Sequence, residues 1–85
     1  MNTQADKPSD LIKPILAVGR YQHYKGAEYQ VVDLVCHSET QEWLVLYYPL
    51  YGNRQLWVRP YDMFIESVEL SDGTTQSRFT LVEPE

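Results

Sequence analysis

The sequence lacks several features that would place it in a common class of protein. It has a single cysteine, so no disulfide can form within the chain, and its two histidines offer no zinc-binding spacing. No apolar run approaches the roughly 20 residues that span a membrane. The first residues are polar and lack the basic and then apolar order of a signal peptide. We therefore expect a cytoplasmic protein that does not contact a membrane.

Positive charge is also scarce. Seven Lys and Arg residues stand against twelve Asp and Glu residues, which gives a formal net charge of −5. The excess of acid falls in residues 62–85, where Arg78 is the only basic side chain. An acidic domain repels phosphate backbones, which disfavours non-specific binding of nucleic acid. A local nucleic-acid site around Arg54 and Arg59 remains open.

What is present indicates one small domain with a packed core. The 85 residues are 44% apolar and 13% aromatic, which is typical of a folded chain and leaves no room for two cores. Pro8 and Pro14 bracket a segment too short for a stable helix. We therefore predict a flexible, disordered tail over residues 1–14 and a single domain over residues 15–85.

The pattern from Ile15 onward is typical of short β-strands, because β-branched and aromatic residues dominate and turn signals recur. A 3₁₀ turn is predicted near residues 60–63, after the fourth strand. The predicted strands cover residues 15–24, 29–37, 42–50, 55–60, 64–70 and 77–83. The sequence thus predicts an all-β fold, a small SH3-like barrel or roll of five to six antiparallel strands.

The second and third strands have a predicted register. Ser38 to Gln41 tolerate turn conformations and would form a four-residue hairpin loop. The cross-strand pairs on the apolar face are then Cys36 with Trp43, Leu34 with Val45, and Val32 with Tyr47. Strict alternation places Tyr29 and Val31 on the opposite face.

The segment from Cys36 to Glu42 concentrates reactive residue types. On a strand, Cys36 and His37 point to opposite faces, so they would not form the thiol–imidazole pair that cysteine catalysis needs. A divalent cation bound by His37, Glu39 and Glu42 would need three or four rigidly held ligands, and the sequence has no second cluster of His and Cys residues to help supply them. We predict no catalytic residue, no metal ligand and no cofactor here. The residues assigned to a structural turn are His37, Ser38, Glu39, Thr40 and Glu42.

The aromatic residues point to binding. Seven tyrosines exceed what one small core readily holds, because each buried hydroxyl needs a hydrogen-bond partner. Alternation predicts that Tyr47 faces the core and that Trp57 and Arg59 face away from it. The candidate ligand-binding residues are Tyr48, Tyr51, Trp57, Arg59, Tyr61, His23 and Tyr24. The alternative is that these rings cover the open ends of the barrel while Arg59 pairs with a carboxylate.

Four motifs in order carry a family resemblance. They are G-x-Y-x-H-Y-K-G at Gly19–Gly26, HSET-x-E at His37–Glu42, LYG at Leu50–Gly52 and WVRP-x-x-MF at Trp57–Phe64. Together they resemble the small bacterial family known as domain of unknown function 1653 (DUF1653), over roughly residues 19–79. The resemblance implies an SH3-like barrel and implies no activity. The sequence departs from the family pattern at Cys36, where a small residue such as alanine is expected.

Three functions follow as hypotheses. The first is a non-catalytic binding module that recognises an unknown peptide or protein partner through its aromatic and arginine residues. The alternative is a single-stranded nucleic-acid-binding module that stacks bases on the same rings. An enzyme that uses the Cys36–Glu39 segment is the least favoured. Exposed edge strands would allow a monomer or a weak dimer.

Overall fold

In the computed structural model, which describes residues 12–85, the chain folds into seven strands and one short helix. The strands are β1 (Gly19–His23), β2 (Glu28–Cys36), β3 (Trp43–Pro49), β4 (Trp57–Pro60), β5 (Ser67–Glu69), β6 (Thr75–Ser77) and β7 (Phe79–Pro84), and the helix α1 (Tyr61–Phe64) follows β4. Residues 1–11 of the predicted tail lie outside the described residues.

The strands form two antiparallel sheets. Five of them pair in the order β4-β3-β2-β1-β7, and β5 pairs with β6 in a separate hairpin. The all-β prediction is confirmed, but the strands do not close into a barrel over residues 12–85. Closure would require the two ends of the larger sheet to pair, and within residues 12–85 β4 pairs only with β3 and β7 only with β1.

The predicted register of β2 and β3 is correct near the hairpin and wrong further along. Cys36 lies opposite Trp43, and the next predicted pair is also observed. A β-bulge between Val31 and Asp33 then places Val31, not Val32, opposite its partner on β3. One extra residue reverses the alternation of a strand. Val31 is therefore 1% exposed, whereas Val32 is 40% exposed.

The turn predicted near residues 60–63 is α-helical rather than 3₁₀. The Ile65 amide donates to the carbonyl oxygen of Tyr61 at 3.1 Å, which is the i to i−4 bond of an α-helix. Pro60 precedes α1, where its fixed φ is compatible with a helix start. The helix is one turn long and carries the buried Phe64 into the core.

Several predicted strand limits are also wrong, including that of the fifth strand, which begins at Ser67 because Phe64 belongs to α1, and the first and last strands differ most. The first begins at Gly19 instead of residue 15, and Leu16 in the preceding segment packs against the core without joining a strand. The last is divided at Arg78, whose amide donates to the Glu66 carbonyl oxygen at 3.0 Å while its own carbonyl oxygen accepts from the Tyr24 amide at 2.9 Å. These bonds join the β5–β6 hairpin to the larger sheet.

The core covers one face of the five-stranded sheet. Phe64 and Phe79 stack in parallel at its centre, with ring centroids 4.1 Å apart. The Tyr21 hydroxyl donates to the Ala17 carbonyl oxygen at 2.6 Å, so burial of this ring leaves no unpaired hydroxyl. The hydrophobic core cluster consists of Tyr21, Val31, Leu34, Val45, Tyr47, Phe64 and Phe79. No helix in residues 12–85 is long and apolar enough to cross a membrane.

Candidate functional site

The bulge in β2 and the pairing of β3 with β4 bring aromatic rings to one place on the core face of the sheet. Trp57 lies opposite Tyr47 in the register, and directly opposite residues of paired strands share a face. Their ring centroids are 6.1 Å apart. Tyr29, which the bulge turns to the same face, lies 5.6 Å from Tyr47 and 6.4 Å from Trp57.

Less buried rings extend this cluster outward. The Tyr51 ring lies 6.1 Å from that of Tyr29, with 3.3 Å between the two hydroxyl oxygens. On the other side His23 lies 6.4 Å from Tyr29 and 4.6 Å from Tyr24. Trp57 is 44% exposed and Tyr51 is 51% exposed. We call the whole set the aromatic surface; its members are His23, Tyr24, Tyr29, Tyr51, Trp57 and Arg59.

Two aromatic residues of the core position the Arg59 side chain. Its Nε donates to the Tyr47 hydroxyl oxygen at 3.2 Å, and its guanidinium carbon lies 5.6 Å from the centroid of the Phe79 ring. A guanidinium over an aromatic face is attracted by the ring quadrupole. Both contacts fix the orientation of the guanidinium plane, and no acceptor within residues 12–85 engages its two terminal nitrogens.

The positive charges near the aromatic surface are less neutralised than those elsewhere. The ion pairs of residues 12–85 engage Lys13 with Asp33, Arg20 with Glu28 and Glu83, and Arg78 with Glu66. In this part of the chain, Lys25, Arg54 and Arg59 have no carboxylate partner. All three adjoin the aromatic surface, since Lys25 lies 5.8 Å from the Tyr24 ring centroid and Arg54 is in the loop between Tyr51 and Trp57. The cations that lack an ion pair within residues 12–85 are therefore grouped at the aromatic surface.

Two titratable groups of the surface are held neutral. Burial raises the pKa of Tyr29 to about 12, and the hydrogen bond with Tyr51 adds to the effect. Burial lowers the pKa of His23, and the nearby charges of Arg78, Arg59 and Lys25 lower it further. The neutral His23 ring accepts the Lys25 amide at Nδ1 over 3.1 Å, so its proton is on Nε2. The surface therefore presents neutral hydrogen-bonding groups and cations, and no anion.

The structure brings five of the seven candidate ligand-binding residues together: His23, Tyr24, Tyr51, Trp57 and Arg59. The prediction that Trp57 and Arg59 face away from Tyr47 is wrong, because the register of β3 and β4 places them on the same face. Tyr48 lies on the opposite face of the sheet, in an open cavity with Arg20 and Gln30. Tyr61 begins α1 and lines a second cavity with Pro14 and Trp43.

Sequence reasoning missed Tyr29, a member of the aromatic surface, and Lys25, which adjoins it. Strict alternation places Tyr29 on the opposite face because it takes no account of the bulge, and the motif that contains Lys25 gives no role to its side chain. The signal for the bulge is the charged Asp33 beside Val32, within the run from Val31 to Cys36 that is otherwise apolar. Both side chains point to solvent in the structure, and their neighbours Val31 and Leu34 are buried.

The segment predicted as a structural turn connects β2 to β3. The His37 amide donates to the Glu42 carbonyl oxygen at 2.8 Å, and the imidazole Nδ1 accepts the amides of Glu39 at 3.0 Å and Thr40 at 3.3 Å. The Thr40 hydroxyl oxygen accepts the Glu42 amide at 3.2 Å. The Ser38 hydroxyl lies 3.4 Å from the Glu39 carboxylate.

Cys36 is half-buried beside this turn. Its Sγ lies 3.7 Å from the His37 carbonyl oxygen, while the His37 imidazole is turned to the amides of the loop. Over residues 12–85, no group of three or more His, Cys, Asp and Glu side chains is arranged to hold a metal ion. The geometry of the segment is that of a side chain capping a turn.

Comparison with known proteins identifies relatives of unknown function. Residues 19–81 match the family model described as "Protein of unknown function (DUF1653)". A crystal structure of a protein of that family from Bordetella bronchiseptica is 33% identical to this chain, with a TM-score of 0.70, and the match covers 82% of this chain and 95% of that one. No curated protein matches the chain. The resemblance carried by the four motifs is confirmed, and the chain belongs to the DUF1653 family.

Proposed function

We propose that this chain is a non-catalytic binding module that recognises a peptide or protein partner through the aromatic surface. The observation that carries the proposal is the exposure of two large rings, Trp57 at 44% and Tyr51 at 51%, over a continuous buried aromatic cluster. Rings held in this way offer contact area without a large loss of conformational entropy on binding. Tryptophan, tyrosine and arginine are the residue types enriched among the strongest contributors to protein interfaces.

The arrangement of the rings supports a site for recognition. Trp57 contacts Tyr29 and Tyr47 on its inner side, so only its outer side is available to a partner. Arg59 lies two residues along the same strand and on the same face. A partner can therefore place an apolar group on Trp57 and an acceptor on Arg59 at once. Such pairing of an apolar anchor with a fixed polar group gives specificity.

The geometry of the Cys36 segment supports a binding role over a catalytic one. A catalytic thiol needs a base within hydrogen-bond reach, and the His37 Nδ1 is directed to the turn amides instead. The Cys36→Ala variant should therefore keep any measurable function of the protein. Loss of function in that variant would favour an enzyme.

Selection of peptides from a random library against the full chain tests the proposal. We expect ligands whose binding to Trp57→Ala is at least about 30-fold weaker, because a residue of this kind typically contributes about 2 kcal/mol or more. The matched control is Val82→Ala on β7, since Val82 is also 44% exposed and lies on the strand at the other edge of the sheet. Peptides that bind both variants equally well, or no peptides at all, would reject the proposal.

A single-stranded nucleic acid is the second candidate. The observation that favours it is the presence of Lys25 and Arg54, without carboxylate partners in residues 12–85, beside rings on which bases could stack. A titration with oligothymidylate at increasing salt separates the two candidates. Binding to phosphates weakens steeply as salt rises, whereas an aromatic peptide site changes little.

A further inference from the structure

The strand that carries Trp57 and Arg59 lies at an edge of the five-stranded sheet. β4 pairs with β3 on one side, and on its other side no strand pairs with it among residues 12–85. In the same described part of the chain, no loop forms a backbone hydrogen bond with residues 55–60. An edge of this kind presents unpaired carbonyl groups and, at the residues of β4 other than Pro60, amide groups, to which an extended peptide can add as a further strand.

The side chains of β4 would determine what such a strand must contain. Trp57 and Arg59 lie on the face of the aromatic surface, and Val58 lies on the opposite face with 53% of its surface exposed. Residues directly opposite each other in paired strands have neighbouring side chains. An added strand would therefore place two alternate side chains beside Arg59 and Trp57, and the side chain between them beside Val58.

The charge of the site selects the side chain beside Arg59. The guanidinium donates from Nε to Tyr47, and no carboxylate of residues 12–85 pairs with its terminal nitrogens. Lys25 and Arg54, which adjoin the aromatic surface, add to the positive field. A carboxylate accepts two hydrogen bonds from the fork of a guanidinium. The complementary partner is therefore acidic at this position.

We propose that the β4 edge binds an extended acidic peptide by antiparallel strand addition, with a carboxylate beside Arg59 and an aromatic side chain beside Trp57. This inference rests on the proposed function and names its partner class. Antiparallel pairing reverses the order of the residues, so the peptide reads acidic, apolar, aromatic from its N-terminus. Every strand pairing in the described chain is antiparallel, and antiparallel pairs are the commoner kind.

A set of capped synthetic peptides tests the inference on the full chain by fluorescence anisotropy. The reference peptide has the core Glu-Val-Trp between Ser and Thr residues, and its variants have the cores Lys-Val-Trp and Trp-Val-Glu. We expect both variants to bind about 10- to 100-fold more weakly, because each loses a charge-assisted hydrogen bond to Arg59. The Arg59→Gln variant should bind the Glu and Lys peptides with nearly equal affinity. If Arg59→Gln does not fold, the affinities of the three peptides for the wild type test the inference without it.

Methylation of the peptide amides, one at a time, tests strand addition itself. In a β-strand, successive amides point to opposite sides, so only alternate N-methyl groups should abolish binding to the β4 edge. Uniform tolerance of N-methylation, or stronger binding of the reversed core, would overturn the inference. So would a dimer of this chain that buries β4 and resists the peptide in sedimentation analysis.

The results of these experiments distinguish a failure of strand addition from a failure of the proposed binding function. Library peptides that depend on Trp57 but tolerate charge reversal and N-methylation would overturn strand addition and leave the proposed binding module standing. Failure of every peptide, with salt-sensitive binding of oligothymidylate, would overturn both.

Discussion

Substitution of Gly19 by alanine tests how closely β7 approaches β1. Gly19 is the first residue of β1 and pairs with Val31 on one side and Pro84 on the other. A Cβ atom at this position would lie 2.9 Å from the Pro84 Cα and 3.0 Å from the Glu85 nitrogen, and closer still to the Glu83 carbonyl oxygen. All three are backbone atoms, so β7 itself would have to move.

The expected cost has two parts. A residue with a Cβ atom at the Gly19 φ of +151° carries a strain of about 1–3 kcal/mol. Displacement of a packed backbone costs about 1–3 kcal/mol more. A stiffer unfolded chain offsets about 0.4–1 kcal/mol of this total. Gly19→Ala should therefore lower the free energy of unfolding by about 3 kcal/mol, and a domain of this size would lose about 15 °C in Tm.

The Gly26→Ala variant is the matched control. Its φ is +112°, but a Cβ atom there would meet nothing within 4 Å, so it carries strain without the collision. We expect a loss of about 1 kcal/mol for this variant. Urea unfolding, followed by the fluorescence of Trp43 and Trp57, measures both losses. We expect the dependence of the free energy of unfolding on urea concentration, the m value, to be unchanged. Equal losses in the two variants would refute the close approach of β7.

Two further predictions concern Tyr29 and His37. Because the pKa of Tyr29 is raised to about 12, the neutral phenol stabilises the fold fully below pH 10, and this contribution is lost as the pH rises towards 12. Urea unfolding at about pH 9 and about pH 11.5 measures the free energy of unfolding of the wild type and of Tyr29→Phe. The wild type should lose stability relative to the variant at the higher pH, and a constant difference would contradict the raised pKa. His37→Ala should cost about 1 kcal/mol through two lost turn bonds, whereas the side-chain oxygen of His37→Asn should restore most of it. Equal losses in thermal unfolding would exclude the capping role.

Much of the fold follows from local pattern. The hairpin that joins β2 to β3 could be predicted because alternation of apolar residues and a turn-forming segment are both read within a few positions. The pairs Cys36 with Trp43 and Leu34 with Val45 are observed as predicted. The prediction failed at Val32 because a bulge depends on how the whole strand fits its neighbours, which no short window contains.

The aromatic surface was only partly predictable for the same reason. Trp57, Arg59, Tyr51, His23 and Tyr24 were selected from residue type, since such residues are common in binding sites. Their grouping required the register of β3 and β4, which places Trp57 on the same face as Tyr47. It equally separated Tyr48 and Tyr61 from the rest, because the first lies on the other face and the second on α1.

Composition, alternation and ordered motifs are properties of the chain alone, and they were enough to predict the all-β class, the main hairpin, the acidic character and the family of this protein. Tertiary packing was needed to show that β4 has no second neighbouring strand within residues 12–85, that Phe64 and Phe79 stack, and that cations without carboxylate partners in that range adjoin the exposed rings. These features arise between residues distant in sequence, where the packing of the whole chain selects one arrangement among many that local preferences allow.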